Sequence, residues 1–288
     1  MDTVTSSRRR IAFLDIDGTI THEGARIADS TIAAIRRARQ VGHLVYLSTG
    51  RSAGDIAPSV REIGFDGAVT SAGAYATVRS ETVLARPMGE HRTRRLVEYF
   101  SAHRILYFLQ SNAEVFANAE MRRFIVGFRE ERRARDRDGG SEDETTAPPR
   151  DLLDVADADL ATIARAVFVS TADDTIERLR ADLGDAFDVI PGSMPQQGGS
   201  NGEIGAAGVT KGSAIAVVLD HLGMDASDAI GIGDSWNDVE MFQVCGVSVA
   251  MGNADPEIRA LADRVTTDVL DDGVWNAFDR LGLLTPRD

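Results

Sequence analysis

The stretch Ile11-Ala12-Phe13-Leu14-Asp15-Ile16-Asp17-Gly18-Thr19 constrains this chain more than any other. Four apolar residues without a polar break read as a strand buried on both faces, and two acids with a Gly-Thr turn follow at once. Open α/β sheets place their ligands beyond the carboxyl ends of the strands, so Asp15 and Asp17 arrive where chemistry would be done. One Asp after a strand serves equally well as a turn cap. Two, one residue apart and followed by Gly-Thr, direct attention to what the other strand ends deliver.

The following chain keeps an α/β rhythm. Asp29 or Ser30 can cap a helix to about Arg39, His43 to Leu47 is an apolar strand ending in Ser48-Thr49-Gly50-Arg51, a helical stretch carries Ile56, Val60 and Ile63, and Ala68 to Thr70 is a short strand. That alternation predicts a doubly wound parallel sheet. Near Thr82 the rhythm changes to strand pairs with helices between them: a helix over Arg92 to Phe100, strands at Ile105 to Leu109 and Glu114 to Ala117, a helix over Met121 to Arg133, and a mixed-charge run from Arg129 to Arg150 expected to be a mobile surface loop. Strands at Ala166 to Ser170 and Phe187 to Ile190 flank a further helix, and the Gly-rich Gly192 to Gly208 is read as the return linker. From Lys211 the α/β rhythm resumes, with strands at Ala229 to Ile232 and Val247 to Met251. The expected architecture is an α/β, doubly wound parallel-sheet core formed by 1–81 and 203–288, with an inserted α+β domain at 82–202.

Composition excludes several classes. The net charge of −14 argues against a nucleic-acid partner, which calls for a basic face. No apolar run approaches the roughly 20 residues of a membrane span. Arg8-Arg9-Arg10 before Ile11 imitates a secretory leader, but the apolar run breaks at Asp15. The single Cys245 permits no internal disulfide, and the expected location is cytoplasmic. Of 31 basic residues only Lys211 is a lysine. A chain that uses Arg for every other positive charge marks Lys211 as a place where a compact ammonium is required.

The second acidic cluster, Gly231-Ile232-Gly233-Asp234-Ser235-Trp236-Asn237-Asp238, again ends an apolar strand. Trp236 occupies the third glycine position of a dinucleotide fingerprint, and Lys211 precedes its glycine where a P-loop lysine follows one, so neither nucleotide motif is met. In a doubly wound sheet the strand ends meet at one edge, and Asp15, Asp17, Asp234 and Asp238 would share a pocket. Two like charges about 4 Å apart repel by about 4 kcal/mol at an effective dielectric of 20, so such a group must take up protons or hold a cation. With oxygen donors alone, Mg²⁺ is the expected ion. Lys211 and the hydroxyls and amides of Ser48-Thr49-Gly50 complete what a phosphoryl group requires.

Asp15-x-Asp17-Gly18-Thr19, Ser48-Thr49-Gly50-Arg51, Lys211 and Gly233-Asp234-x-x-Asn237-Asp238 together resemble the four ordered motifs of the haloacid dehalogenase superfamily. Gly208-Val209-Thr210-Lys211-Gly212 and Ala250-Met251-Gly252-Asn253-Ala254 are similar to those of its Cof-type phosphatases, which carry a large α/β cap of the C2 type between the second and third motifs. The resemblance implies a Rossmann-like core and Mg²⁺-dependent hydrolysis of a small phosphorylated metabolite, such as a sugar phosphate, through an aspartyl-phosphate, with the cap closing over the site and supplying specificity. It implies Asp15 as nucleophile and metal ligand, and Asp17 as general acid/base and metal ligand through its carbonyl. Asp234 is implied as a direct metal ligand and Asp238 as an outer one. Ile16, Ser48, Thr49, Lys211 and Asn237 would hold phosphate. Thr70-Ser71-Ala72-Gly73-Ala74 departs from the pattern, with Ala72 where relatives often carry Asn, and 269–273 lacks an expected Asn.

A phosphomutase or phosphotransferase shares this chemistry and differs in the acceptor. A phospho-accepting switch uses a similar acid pocket with Thr and Lys, but it has no need of Asp17 or of so large an insert. Arg51 could touch substrate or pair with an acid, Trp236 could wall the pocket or simply pack, Cys245 reads as a small core residue, and the five histidines have no ligand spacing. Oligomeric state is not readable from the sequence.

Overall fold

The computed structural model describes residues 8–22, 26–127, 152–192 and 199–286. It divides into two compact units, one of 1–51, 55–85 and 210–288, the other of 52–54 and 86–209.

The first unit is built on an eight-stranded sheet. In spatial order its strands are Arg264–Val265, Val247–Ala250, Ala229–Gly233, Ile11–Leu14, Leu44–Ser48, Gly67–Thr70, Tyr75–Val78 and Glu81–Ala85. The first six run parallel, and the last two form an antiparallel hairpin on the edge. The sheet is therefore the expected doubly wound parallel one, extended on one edge by an antiparallel hairpin. The central strands Ile11–Leu14 and Ala229–Gly233 contain no polar residue, as suits strands covered on both faces. Ala12, Leu14, Val45, Leu47, Ile230 and Ile232 enter one core with the helices Asp29–Gln40 and Gly273–Arg280. Ile11, Phe13, Leu44, Tyr46 and Ala229 enter the other, with Lys211–Leu222 and Val239–Val244. Leu14 lies opposite both Ile232 and Leu47, so a strand from the start of the chain sits between one from its end and one from its second motif. All three deliver their following residues to the same edge.

The second unit carries a six-stranded sheet in the order Leu153–Asp154, Val115–Ala117, Leu106–Gln110, Arg165–Ser170, Ser200–Ala206, Phe187–Pro191. Leu96, Phe100, Tyr107, Phe168, Leu179 and Ile204 pack in its core, the first two supplied by the helix Glu90–Ala102 and the fifth by Thr175–Leu183.

Several local expectations are corrected. Glu81–Ala85 completes the edge hairpin of the first sheet, so that unit runs past 81. Ser200–Ala206 lies inside the stretch read as a linker and is a strand paired on both sides. The helix Asp29–Gln40 is capped by Ala28 with no side-chain bond, and Asp29 occupies its first turn, where a negative charge suits the helix dipole. The stretch around Val60 holds only the short helix Pro58–Arg61, with Pro58 in its first turn. Residues 119–127 are helical. The remainder of the helix expected to Arg133, and most of the charged run to Arg150, lie outside the described residues.

Candidate active site

Asp15 follows the strand Ile11–Leu14, and its N–H donates to Ile232 O at 3.0 Å. The next turn is fixed by one carbonyl: Ile16 O accepts from the N–H groups of Thr19, Ile20 and Thr21 and from Thr21 Oγ1. Gly18 turns at φ +83°, and a Cβ there would stand 2.1 Å from Asp234 Oδ2. Only glycine lets the Asp234 carboxylate lie against this turn. Thr19 Oγ1 then donates to Asp234 Oδ1 at 3.0 Å. Asn253 Nδ2 donates to Gly18 O at 2.8 Å, while its Oδ1 accepts from Val269 N at 3.0 Å, tying a further loop to the same turn.

Asp234 ends the neighbouring strand Ala229–Gly233. Asp238 folds back beneath it, its Oδ2 accepting from the N–H groups of Asp234 at 3.0 Å and Ser235 at 3.1 Å. Gly233 leaves room for that carboxylate, since a Cβ would fall 2.3 Å from Asp238 Cγ. Lys211 is the first residue of Lys211–Leu222, a helix started by a reciprocal cap in which Ser213 N donates to Thr210 Oγ1 and Thr210 N to Ser213 Oγ. The Lys211 ammonium spends its three hydrogens on Asp15 Oδ1 at 2.8 Å, Asn237 Oδ1 at 3.0 Å and Asp238 Oδ1 at 2.6 Å. Asp15, Lys211 and Asp238 are all buried.

One carboxylate oxygen each from Asp15, Asp234 and Asp238 lies within 4.8 Å of the others. Three acids around one ammonium leave excess negative charge in a pocket screened from water. Burial raises the Asp15 carboxyl well above the usual range; Lys211 opposes the rise, and Asp238 and Asp234 add to it. Asp234 is pushed up to about 7, first by burial and then by the Asp238 charge, against the Thr19 hydrogen bond and Lys211. Burial pulls Lys211 down, but the charges of Asp15 and Asp238 more than reverse this and hold it protonated. Such a pocket must hold protons or a cation. The donor set fits a hard divalent ion, because every available group is an oxygen. Among the described residues Asp15 Oδ2 and Asp234 Oδ2 accept no hydrogen bond, whereas both oxygens of Asp238 are engaged. Asp15 and Asp234 are thus the acids with an oxygen to offer directly.

The expected site residues do not all converge. Asp15, Asp234, Asp238, Lys211 and Asn237 come together. Asp17 stands apart from the other three acids and directs its carboxylate to Arg51, whose Nε donates to Oδ2 at 2.7 Å and Nη2 to Oδ1 at 2.5 Å. Ser48 and Thr49 end the adjacent strand. Among the described residues Ser48 Oγ is buried with no hydrogen-bond partner, and Thr49 Oγ1 accepts from Arg51 N at 3.1 Å. Trp236 is about half exposed and Cys245 is buried, its thiol raised to about 12 by burial.

Two features escape a sequence reading. In the sequence Asn253 stands out only as part of a motif, and its bridging role depends on where two loops meet. Ser71 and Ala72 both take left-handed backbone, φ 50° and 54°, with no Asn or Gly to announce it. Ser71 N donates to Arg51 O and Ala72 N to Thr49 O. Gly73, also at positive φ, packs where a Cβ would stand 2.1 Å from Thr210 O, so this turn abuts the cap of the Lys211 helix.

The model of the haloacid dehalogenase-like hydrolases matches residues 12–278. YkrA of Bacillus subtilis (strain 168), provisionally designated a phosphatase, is 26% identical over 279 residues, which cover 96% of this chain and 98% of that protein. BT1666 of Bacteroides thetaiotaomicron, described among phosphatases of the same superfamily, superposes with a TM-score of 0.77 at 22% identity over 96% of each chain. The subclass IIB sugar phosphatase BT4131 superposes with a TM-score of 0.74 at 21% identity, covering 95% of this chain and 99% of its own. At such identities the two structures speak for the fold, and among the described residues no helix is long and apolar enough to cross a membrane. The family match over nearly the whole chain, on a core that gathers the motif residues at one sheet edge, makes this protein a Cof-type haloacid dehalogenase-like hydrolase, a phosphatase by class.

Proposed function

We propose that the protein hydrolyses a small phosphorylated metabolite, a sugar phosphate or a compound like it, through a phosphorylated Asp15, with Mg²⁺ as cofactor. The observation that carries this reading is the meeting of buried Asp15, Asp238 and Lys211 with half-buried Asp234. The name of the similar sugar phosphatase BT4131 supports the substrate class.

Asp15 and Asp234 would hold Mg²⁺ directly, with Asp238 outside them and the Asp17 carbonyl as a further oxygen. Bound there, the ion would neutralise charge on the phosphoryl oxygens. Lys211 carries the complementary positive charge and fixes Asp15 by its hydrogen bond to Oδ1. Asn237, Ser48, Thr49 and the Ile16 N–H are the remaining candidates for the phosphoryl oxygens, and the Ser48 hydroxyl, unpartnered among the described residues, is a donor already buried in place.

Asp15 attacks phosphorus, and the bond from phosphorus to the leaving oxygen breaks. That oxygen takes a proton from Asp17. Water then attacks phosphorus and gives its proton to Asp17, while the bond to Asp15 breaks, releasing phosphate and restoring the carboxylate. Phosphate release from a panel of phosphorylated metabolites, with and without Mg²⁺, tests the reading. Asp15→Asn should abolish release while leaving the fold intact; activity retained in that variant overturns it. Transfer of phosphate to a sugar hydroxyl in place of free release would make the protein a mutase or transferase.

A further inference from the structure

We propose that Arg51 is the positioning residue of Asp17, holding the carboxylate that the phosphatase reading uses as general acid/base; the inference rests on that reading. The Asp17 carboxylate is gripped side-on by Nε and Nη2 of one guanidinium, at 2.7 and 2.5 Å. A third contact, Arg51 Nη1 to Asp55 O at 3.3 Å, keeps that guanidinium from turning about its own axis. The Arg51 backbone is pinned as well, its N–H donating to Thr49 Oγ1 at 3.1 Å and its carbonyl accepting from Ser71 N at 2.8 Å.

The need for such a grip follows from charge. Asp17 lies within the electrostatic reach of Asp234, and Asp15 and Asp234 are both candidate anions. Without a partner, the Asp17 carboxylate is repelled toward water, and its side chain is already about half exposed. Bidentate guanidinium geometry restricts where both oxygens can lie, which a point charge on a lysine cannot do. A pair this exposed adds little to stability, so its removal should be read in rate and not in folding. The alternative use of Arg51, as a direct ligand of phosphate, would compete with the three contacts it already makes.

The experiment compares phenyl phosphate, whose leaving group needs a proton, with p-nitrophenyl phosphate, whose leaving group departs without one. The rate of the first turnover is measured for wild type, Arg51→Gln, Arg51→Lys, Asp17→Asn and the Asp17→Asn/Arg51→Gln double variant. Arg51→Gln should slow phenyl phosphate at least about tenfold, within the range that acid catalysis supplies, and slow p-nitrophenyl phosphate by less than about twofold. Arg51→Lys should recover only part of the loss, since one oxygen is left unheld. The loss should vanish in the Asp17→Asn background, because coupled residues are not additive, and inhibition by inorganic phosphate should be unchanged. Equal losses on both substrates, a full loss on top of Asp17→Asn, or weakened inhibition by phosphate each overturn the inference, the last assigning Arg51 to the phosphoryl group. If wild type is as inert as Asp15→Asn toward both compounds, the phosphatase reading itself falls, a result distinct from any of the three.

Discussion

Lys211 has no counterpart of its own kind in the chain, and its surroundings explain why. Its three hydrogens point to three oxygens on different residues, around an ammonium that is itself buried. A planar guanidinium cannot reproduce that spread. Lys211→Met leaves Asp15 and Asp238 buried without a counter-charge, a loss of about 3–5 kcal/mol at pH 8. The deficit should shrink at pH 5, where the raised Asp15 carboxyl takes up a proton instead. Urea unfolding at the two pH values checks this, and an equal loss at both would show that Lys211 is packing and not charge. Ala72 makes the opposite kind of case. Held at φ 54°, ψ 29°, it pays for a backbone that Asn adopts more readily. Ala72→Asn should therefore raise stability by about 1 kcal/mol, read as a higher melting temperature with turnover of an aryl phosphate unchanged.

At the scale of elements, the helix Lys211–Leu222 delivers its first side chain to the site only because its start is fixed. Thr210→Ala removes one half of the reciprocal cap and should cost about 1 kcal/mol in thermal unfolding. Turnover should fall by more than that loss explains, since the freed turn carries Lys211; a change in stability alone would separate the cap from the site. The strand-end acids and the lone lysine were legible because each is a local pattern of residue types beside an apolar run. The strand Ser200–Ala206 was not. Its Ser-Asn-Gly-Glu-Ile-Gly-Ala sequence has little strand preference, and pairing on both sides overrides that. Gly202, which reads as a linker residue, sits where a Cβ would come within 2.6 Å of Ile190 O, so close packing and not looseness calls for it. The Glu81–Ala85 hairpin was missed because an edge strand with one exposed face lacks the long apolar run that betrays a central one. The Asp17–Arg51 pair stayed open for another reason: where a long side chain swings depends on backbone directions that residue types do not encode.

For the molecule as a whole, the acid pocket ties folding to pH and to the cation in opposite senses. Asp234 ionises near 7 in the folded, cation-free protein against 3.8 for an ordinary carboxyl. Between those values the folded state binds more protons than the unfolded one, so stability falls as pH rises through this window and is flat above it. The raised Asp15 carboxyl acts in the same direction, and the formal net charge of −14 adds repulsion as the acids ionise. Mg²⁺ bound there would have to displace those protons, so its affinity should rise over the same interval. A cation at about one hundred times its dissociation constant stabilises the folded state by about 2.7 kcal/mol, or several degrees in a chain of this size. The melting temperature without Mg²⁺ should accordingly drop from pH 5 to pH 8, while the increment gained on adding Mg²⁺ should grow. Asp234→Asn should flatten both trends, since an amide neither titrates nor repels its neighbours. A Mg²⁺ increment that is the same at every pH, or that survives intact in Asp234→Asn, would place the ion somewhere other than between Asp15 and Asp234.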